Sequence, residues 1–283
     1  MRARPSAWRR CRSGWRSRSR RSSSLPELSP ALDPAFLRLP LAHRGLHDAA
    51  GGVIENSRAA VRAAVEAGYG VEVDVQRAAD GEAMVFHDEA LPRLTGAPGL
   101  VADHAAAALG RLRLSGSDET IPTLAEVLAI VGGRAPLLVE VKDQTGVLGP
   151  EVGPLEARVA GLLAGYAGPV AVMSFNPHSV AALAAAAPGV ARGLTSCAFD
   201  GEDWALPDYR RAELASLAEA GPTGSSFVSH DKADLASPAV ARLKAGGLAV
   251  LTWTIRSPAE EALARRVADN ITFERYRAAI PAG

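Results

Sequence analysis

From about residue 36 onward the chain repeats one pattern: a short β-branched run, a stop of Gly, Pro or Asn, then an Ala-rich helical stretch and another stop. Strands alternating with helices in this way favour a parallel sheet covered by helices. The candidate strands are "LPLAH", "GVEVDVQ", "AMVFHD", "LLVEVK", "VAVMSF", "ARGLTS", "SSFVS", "LAVLTWTI" and a short final "NITF". Between the first two, "ENSRAAVRAAVEAGYG" reads as a helix capped by Asn56 or Ser57, with Val61, Ala64 and Val65 on one face and Gly68 as its stop. A second helix, "TLAEVLAIVGG", follows Pro122 with Thr123 and Glu126 at capping-box spacing. "QRAADGEAMVF" differs: it predicts a hairpin turning at Asp80-Gly81. No long polar linker interrupts residues 36–275, so one α/β barrel of TIM type, a (β/α)8 fold of about 240 residues, suits the order better than two domains.

Charge divides the chain unevenly. Residues 1–25 hold nine arginines and no acid, which leaves 22 basic and 31 acidic residues for the rest. A mildly acidic body argues against a nucleic-acid partner. The opening Arg/Ser-rich stretch lacks the apolar run of a secretory signal, so residues 1–35 are expected to form a disordered basic arm and residues 36–283 the barrel. A phosphate- or membrane-surface-binding arm making weak contacts, a start placed too far upstream, and an organelle transit peptide stay open beside that reading. Two cysteines, Cys11 and Cys197, make neither a disulfide framework nor a thiolate metal site, and no run is apolar enough for a transmembrane segment. A reducing, cytoplasmic location is the default expectation.

Chemistry in such a barrel gathers at the C-terminal ends of strands. In "VEVDVQ", Val71, Val73 and Val75 alternate with Glu72, Asp74 and Gln76, so Glu72 and Asp74 share one face. Either this is a solvent-facing strand with ordinary surface acids, or the valines pack on helices and the acids look inward, where they need a cation. Other strand ends carry His43 and Arg44, His87 and Asp88, and Glu140 with Lys142, with Glu55 close to the first. Each has a plain reading too: a satisfied structural histidine, or a Glu140–Lys142 ion pair. Taken together, three carboxylates without cysteine suit one hard divalent cation, Mg2+ or Ca2+. Two imidazoles suit general acid and base, and Arg44 and Lys142 suit an anionic phosphate, which together describe phosphoester cleavage.

The motifs "AHRG", "ENS", "EVDVQ", "DG", "MVFHD", "LPRLTG", "IPTLAEVL" and "VEVK" resemble, in order and spacing, the glycerophosphodiester phosphodiesterase family over residues 41–142, with "SF" and "LTWTI" extending the likeness. The resemblance implies a metal-dependent TIM-type barrel that releases glycerol 3-phosphate and an alcohol from a small-molecule glycerophosphodiester. It implies His43 and His87 as the acid/base pair, Arg44 on the phosphate, and Glu72, Asp74 and Glu140 as metal ligands. Glu55 becomes a further ligand or its support, Lys142 an aid to the phosphate, and residues 88–121 an insertion after the third strand that shapes substrate choice. Leu94 and Thr95 replace the family's doubled threonine, and "ADNITFERY" replaces its Gly-Ile-Ile-Thr-Asp ending, so the last strand lies outside the resemblance.

Trp253 stands either at the barrel mouth against substrate or in the core; Phe175 reads as packing. His47, His104, His178 and His230 read as surface or structural, with His178 close enough to a strand end to line the site, and Cys197 as a buried small hydrophobe. Three functions follow: a hydrolase of deacylated glycerophosphodiesters, a lysophospholipid-directed phosphodiesterase at a membrane surface, and a catalytically silent phosphate-binding barrel.

Overall fold

Every β-branched run becomes a strand. In the computed structural model, which describes residues 29–201 and 204–281, the strands are β1 (Leu41–Ala42), β2 (Gly70–Arg77), β3 (Ala83–Val85), β4 (Leu137–Val141), β5 (Val170–Ser174), β6 (Ala191–Ser196), β7 (Phe227–Asp231), β8 (Ala249–Ile255) and β9 (Asn270–Phe273). Eight of them pair in parallel and close into a ring, because β1 pairs with both β2 and β9. The ninth, β3, is the antiparallel arm of the expected hairpin and lies against the end of β2; Gly81 at the turn has φ +86°. The first run is shorter than its sequence, with only Leu41 and Ala42 paired, and "AMVFHD" leaves the sheet after Val85, so His87 stands in a loop beyond β3.

The alternation in β2 divides two environments. Val71, Val73 and Val75 pack with Val61 and Ala64 of the helix Arg58–Glu66 and Leu124 and Val127 of the helix Leu124–Val131. Inside the ring, a separate cluster of Leu41, Leu138, Ala171, Met173, Ala191, Phe227 and Leu251 fills the lower end under Phe36. Leu138 shares its strand face with Glu140, so the acids stand above an apolar floor. The surface-acid reading of "VEVDVQ" is thereby excluded.

Local signals place the helices. Ser57 rather than Asn56 caps the first, its Oγ accepting from Ala60 N at 3.1 Å. Thr123 and Glu126 form the capping box of the second, and Gly132 ends it at φ +53°. The last strand is anchored by its own side chain: Asn270 Nδ2 donates to the carbonyls of Phe36 and Leu39, each at 2.7 Å. Leu32 also packs on the lower cluster, ahead of the expected boundary at residue 36. Of the expected basic arm, residues 1–28, including Cys11, lie outside the described residues. Between β3 and the helix Leu124–Val131 the insertion builds a small core of its own from Phe86, Leu91, Val101, Leu109, Leu114 and Ile121, joined by Ile54, Ala78 and Met84. Among the described residues no helix is long and apolar enough to cross a membrane.

Candidate active site

Register brings the acids together. β2 and β4 run side by side with Asp74 opposite Glu140 and Glu72 one step below, and one oxygen from each of the three carboxylates lies within 4.8 Å of the others. All three are buried. Glu72 Oε2 accepts from the backbone N–H of Arg44 at 2.8 Å; Asp74 accepts from Asn56 Nδ2 at 2.9 Å and Lys142 Nζ at 2.7 Å; Glu140 accepts from the same ammonium at 2.6 Å. Arg44 and Asn56, which supply two of these donors, both hold positive φ, 54° and 57°. Gly45 follows at φ +76°, and a Cβ there would meet the backbone of Ala60 at 2.7 Å. The glycine of "HRG" is thus required by close approach to the helix, and its turn aims the Arg44 N–H at Glu72.

Burial lifts the Glu72 carboxyl well above the ordinary carboxylate range, and the charges of Asp74 and Glu140 add to it. Burial likewise raises Glu140 against the pull of Lys142. Asp74 goes the other way: burial opposes it, yet the charges of Lys142, His87 and Arg44 hold it far below the usual range. The three carboxyls therefore share two cations, the Lys142 ammonium and the Arg44 guanidinium, whose Nε lies 3.4 Å from Asp74 Oδ2. An all-oxygen set of this kind fits one hard divalent cation.

The two candidate histidines flank the acids. His43 Nδ1 bonds Glu274 Oε2 at 2.7 Å, and Glu274 also receives Arg256 Nε at 2.8 Å. His87 Nδ1 bonds Asp88 Oδ1 at 2.7 Å, and Asp88 receives Arg93 Nη2 at 2.9 Å. Gln76 Nε2 donates to the His87 carbonyl at 3.1 Å and fixes the loop. Glu274 and Asp88 both stay below the ordinary carboxylate range despite burial, because these donors bind their charged forms. Ionised carboxylates only accept, so each ring carries its proton on Nδ1 and presents a lone pair at Nε2. Burial lowers both imidazoles, against the pull of Glu274 on His43 and of Asp74 on His87.

Both histidines, Arg44, the three acids, Lys142 and Trp253 line one cavity of about 160 Å³. Trp253 is half-buried at its wall, with Nε1 donating to the Ser229 carbonyl at 3.0 Å and its ring 5.6 Å from that of Phe175. Lys142 is both an ion-pair partner of the acids and a wall of the cavity. Glu55 stands outside the acid group: its carboxylate is held by Arg44 Nη1 at 2.7 Å and Arg93 Nη2 at 2.8 Å, so it touches the guanidiniums instead. A wider cavity of about 640 Å³ adjoins the first and shares His87, Glu140, Lys142 and Phe175 with it.

Asn56, Gln76, Arg93, Arg256 and Glu274 were not singled out as site residues from the sequence. Asn56 had a signal, its place after Glu55 in "ENS", but its side chain turns to Asp74 instead of capping the helix. For Glu274 the only signal was its position just past the last strand. His47, expected at the surface or in a structural role, points at Glu274 from 3.5 Å. His230 is structural as expected, buried between Ser196 Oγ at 2.8 Å and Asp234 Oδ2 at 3.0 Å. His178 lines neither cavity. Cys197 is buried, and burial pushes its thiol up to about 11.

Residues 43–273 match the Glycerophosphoryl diester phosphodiesterase family. The glycerophosphodiester phosphodiesterase of Caldanaerobacter subterraneus subsp. tengcongensis is 35% identical over 119 residues, 39% of this chain and 46% of that protein. That of Bacillus altitudinis is 39% identical over 113 residues, 38% of this chain and 45% of that protein. The aligned stretch spans a little under half the length of these relatives. A phosphodiesterase of Oleispira antarctica, solved in complex with the product sn-glycerol-3-phosphate, superposes with a TM-score of 0.65 at 26% identity, covering 83% of this chain and 93% of that one. The glycerophosphodiester phosphodiesterase of Thermotoga maritima shares the fold, with a TM-score of 0.62 at 20% identity over 83% of this chain and 94% of that one.

Proposed function

The chain belongs to the glycerophosphoryl diester phosphodiesterase family, and from that membership we propose that it hydrolyses a glycerophosphodiester to glycerol 3-phosphate and an alcohol. The observation that carries this reading is the buried group Glu72, Asp74 and Glu140, set in one cavity wall with His43 and His87. These three acids would hold one divalent cation, Mg2+ or Ca2+, which when bound neutralises charge on the phosphoryl oxygens.

The chain's own groups supply the proton transfers. With Nδ1–H tied to Glu274 or Asp88, the Nε2 of one imidazole takes the proton of the attacking water as its oxygen bonds phosphorus. The other imidazole, protonated at Nε2, gives that proton to the leaving oxygen as the phosphorus–oxygen bond to the alcohol breaks. Lowered histidines keep the base in its neutral form near neutral pH, and the acid partner is the one that must charge first. Arg44, whose Nε lies 3.4 Å from Asp74 Oδ2, lines the cavity and carries a guanidinium suited to a phosphoryl oxygen. The Glu55 contact holds that guanidinium in place.

The test is release of glycerol 3-phosphate from glycerophosphocholine by the purified protein, first with EDTA and then with Mg2+ or Ca2+ restored. Release that vanishes and returns with one cation is expected. Silence with both cations on deacylated diesters would turn the reading to lysophospholipids, and silence there too would leave a phosphate-binding barrel. Cytoplasmic location and weak membrane contact by the basic arm belong to the same proposal; cell fractionation, and vesicle binding with and without residues 1–25, check them.

A further inference from the structure

Arg93, on the insertion, reaches two carboxylates that the inner site depends on. It donates from Nε and Nη2 to the two oxygens of Asp88, the second bond at 2.9 Å, and from Nη1 and Nη2 to the two oxygens of Glu55 at 3.1 and 2.8 Å. Its Nη2 meets the very oxygens that hold site residues: Asp88 Oδ1 also bonds His87 Nδ1 at 2.7 Å, and Glu55 Oε1 also accepts from Arg44 Nη1 at 2.7 Å. Burial works against both carboxylates, yet Arg93 leads the groups that keep Glu55 and Asp88 below the ordinary carboxylate range. Both touch Arg93 Nη2, so their charges stand close and would repel without a cation between them.

Neither dependent residue is held by a strand. His87 follows β3 in a loop, and Arg44 stands past β1 at φ 54°. Arg93 itself is fixed from the insertion: Leu91 is fully buried in the insertion's core and Leu94 packs against it, while the Thr95 N–H donates to the Leu91 carbonyl at 3.1 Å and the Ser115 N–H to the Leu94 carbonyl at 2.7 Å. His43 has a separate support, because its Glu274 is backed by Arg256 from the segment after β8.

Gripping two carboxylates at once, each by two bonds, is a task for the planar fork of an arginine; an ammonium is a point charge. We infer that Arg93 is a positioning residue of the hydrolysis: through Asp88 it fixes the ring of His87, and through Glu55 the guanidinium of Arg44, so that the insertion aligns one imidazole and the phosphate donor together. The insertion thus serves the chemistry as well as walling the wider cavity, which Arg93, His87 and Asp88 line. This rests on the phosphodiesterase reading of the inner cavity and adds a residue to it.

The experiment compares wild type, Arg93→Ala, Arg93→Lys and, as a control, Arg113→Ala, which removes an exposed insertion arginine paired with Asp118. Two quantities are read: kcat/KM for glycerophosphocholine, and the imidazole nitrogen resonances of His43 and His87 by NMR. Arg93→Ala is expected to lower kcat/KM by about tenfold to a hundredfold. It should also turn the single Nδ1–H form of His87 into a mixture of tautomers, while the His43 resonances and cation affinity stay as in wild type. Arg93→Lys should remain below wild type, and Arg113→Ala should match it. Combined with Glu55→Gln, the loss from Arg93→Ala should be less than additive, because both act through one carboxylate.

Wild-type kcat/KM in Arg93→Ala, or in Arg93→Lys where the first does not fold, overturns the inference. A loss of turnover with the His87 resonances unchanged also overturns it, by making Arg93 a direct substrate contact. Strictly additive losses overturn it too, as does equal disturbance of His43 or an equal loss in Arg113→Ala, either of which means general damage. In a protein that hydrolyses nothing the resonances still decide. A tautomer change confined to His87 keeps the positioning role and removes the reaction; unchanged resonances remove both.

Discussion

Two places in this molecule put three ligand-type side chains within 4.8 Å of one another: Glu72, Asp74 and Glu140 inside the ring, and His43, His47 and Glu274 at the β1–β9 seam. Distance alone does not separate them; charge does. In the first, three carboxylates share the Lys142 ammonium and the Arg44 guanidinium, and burial together with mutual repulsion raises Glu72 and Glu140. In the second, one carboxylate is shared among His43, His47 and the Arg256 guanidinium, and these donors outweigh burial and pull Glu274 far down. The first group is short of positive charge, whereas the second already has enough. A buried carboxylate set shows its need for a cation by protons held too tightly, and its sufficiency by protons held too loosely.

Substitutions can break or sharpen that contrast. Removing an acid from the first group should have the largest effect: Glu72→Ala or Asp74→Ala is expected to lose cation-restored release of glycerol 3-phosphate and, by calorimetry, the cation itself. Full activity in either variant would take these acids out of the mechanism. His87→Ala stands next, with turnover lower by about 10²–10⁴-fold and cation affinity unchanged; a matching fall in affinity would make His87 a ligand. Glu274→Gln probes the second group and is expected to cost about tenfold to a hundredfold, because the ring of His43 loses the anchor that sets its tautomer. Its pH profile carries the sign. The Glu274 bond raises the His43 pKa, so its loss leaves burial and Arg44, which lower it, against Asp74 alone, and the limb set by His43 moves to lower pH. If Glu274→Gln abolished cation binding instead, the two clusters would be equivalent. His47→Gln should be the mildest, within about threefold of wild type, since among the described residues the ionic partner of His47 is Glu274, at 3.5 Å.

Much of this was legible in the sequence where the causes were local. Period-two alternation in "VEVDVQ" put Glu72 and Asp74 on one face, and capping residues located the helix starts. Asp74 opposite Glu140 needed two strands to be neighbours across the intervening hairpin arm, which the fold supplies. What failed to appear depended on distant partners. Glu274 is 231 positions from His43, and nothing within "TFERY" announces where the chain will bring it. Asn56 satisfied a cap pattern, and only the fold shows that Asp74 claims its amide. β1 stops at two paired residues because the chain turns away at Arg44 and Gly45, both at positive φ. The aromatic wall of the wider cavity takes Phe175 from the loop after β5 and Trp204, backed by Phe199, from the stretch after β6, with no shared period.

The seam between β1 and β9 carries one more consequence. Leu41 pairs with Thr272, and the His43–Glu274 bond bridges the same join, so a nascent chain released only as far as β8 would already hold all three acids, Lys142 and His87, yet His43 would have no anchor. Such high contact order makes ring closure a late event in folding. On the proposed mechanism, full turnover would therefore need the closed ring, and an assay during synthesis would see its rate rise with the arrival of β9.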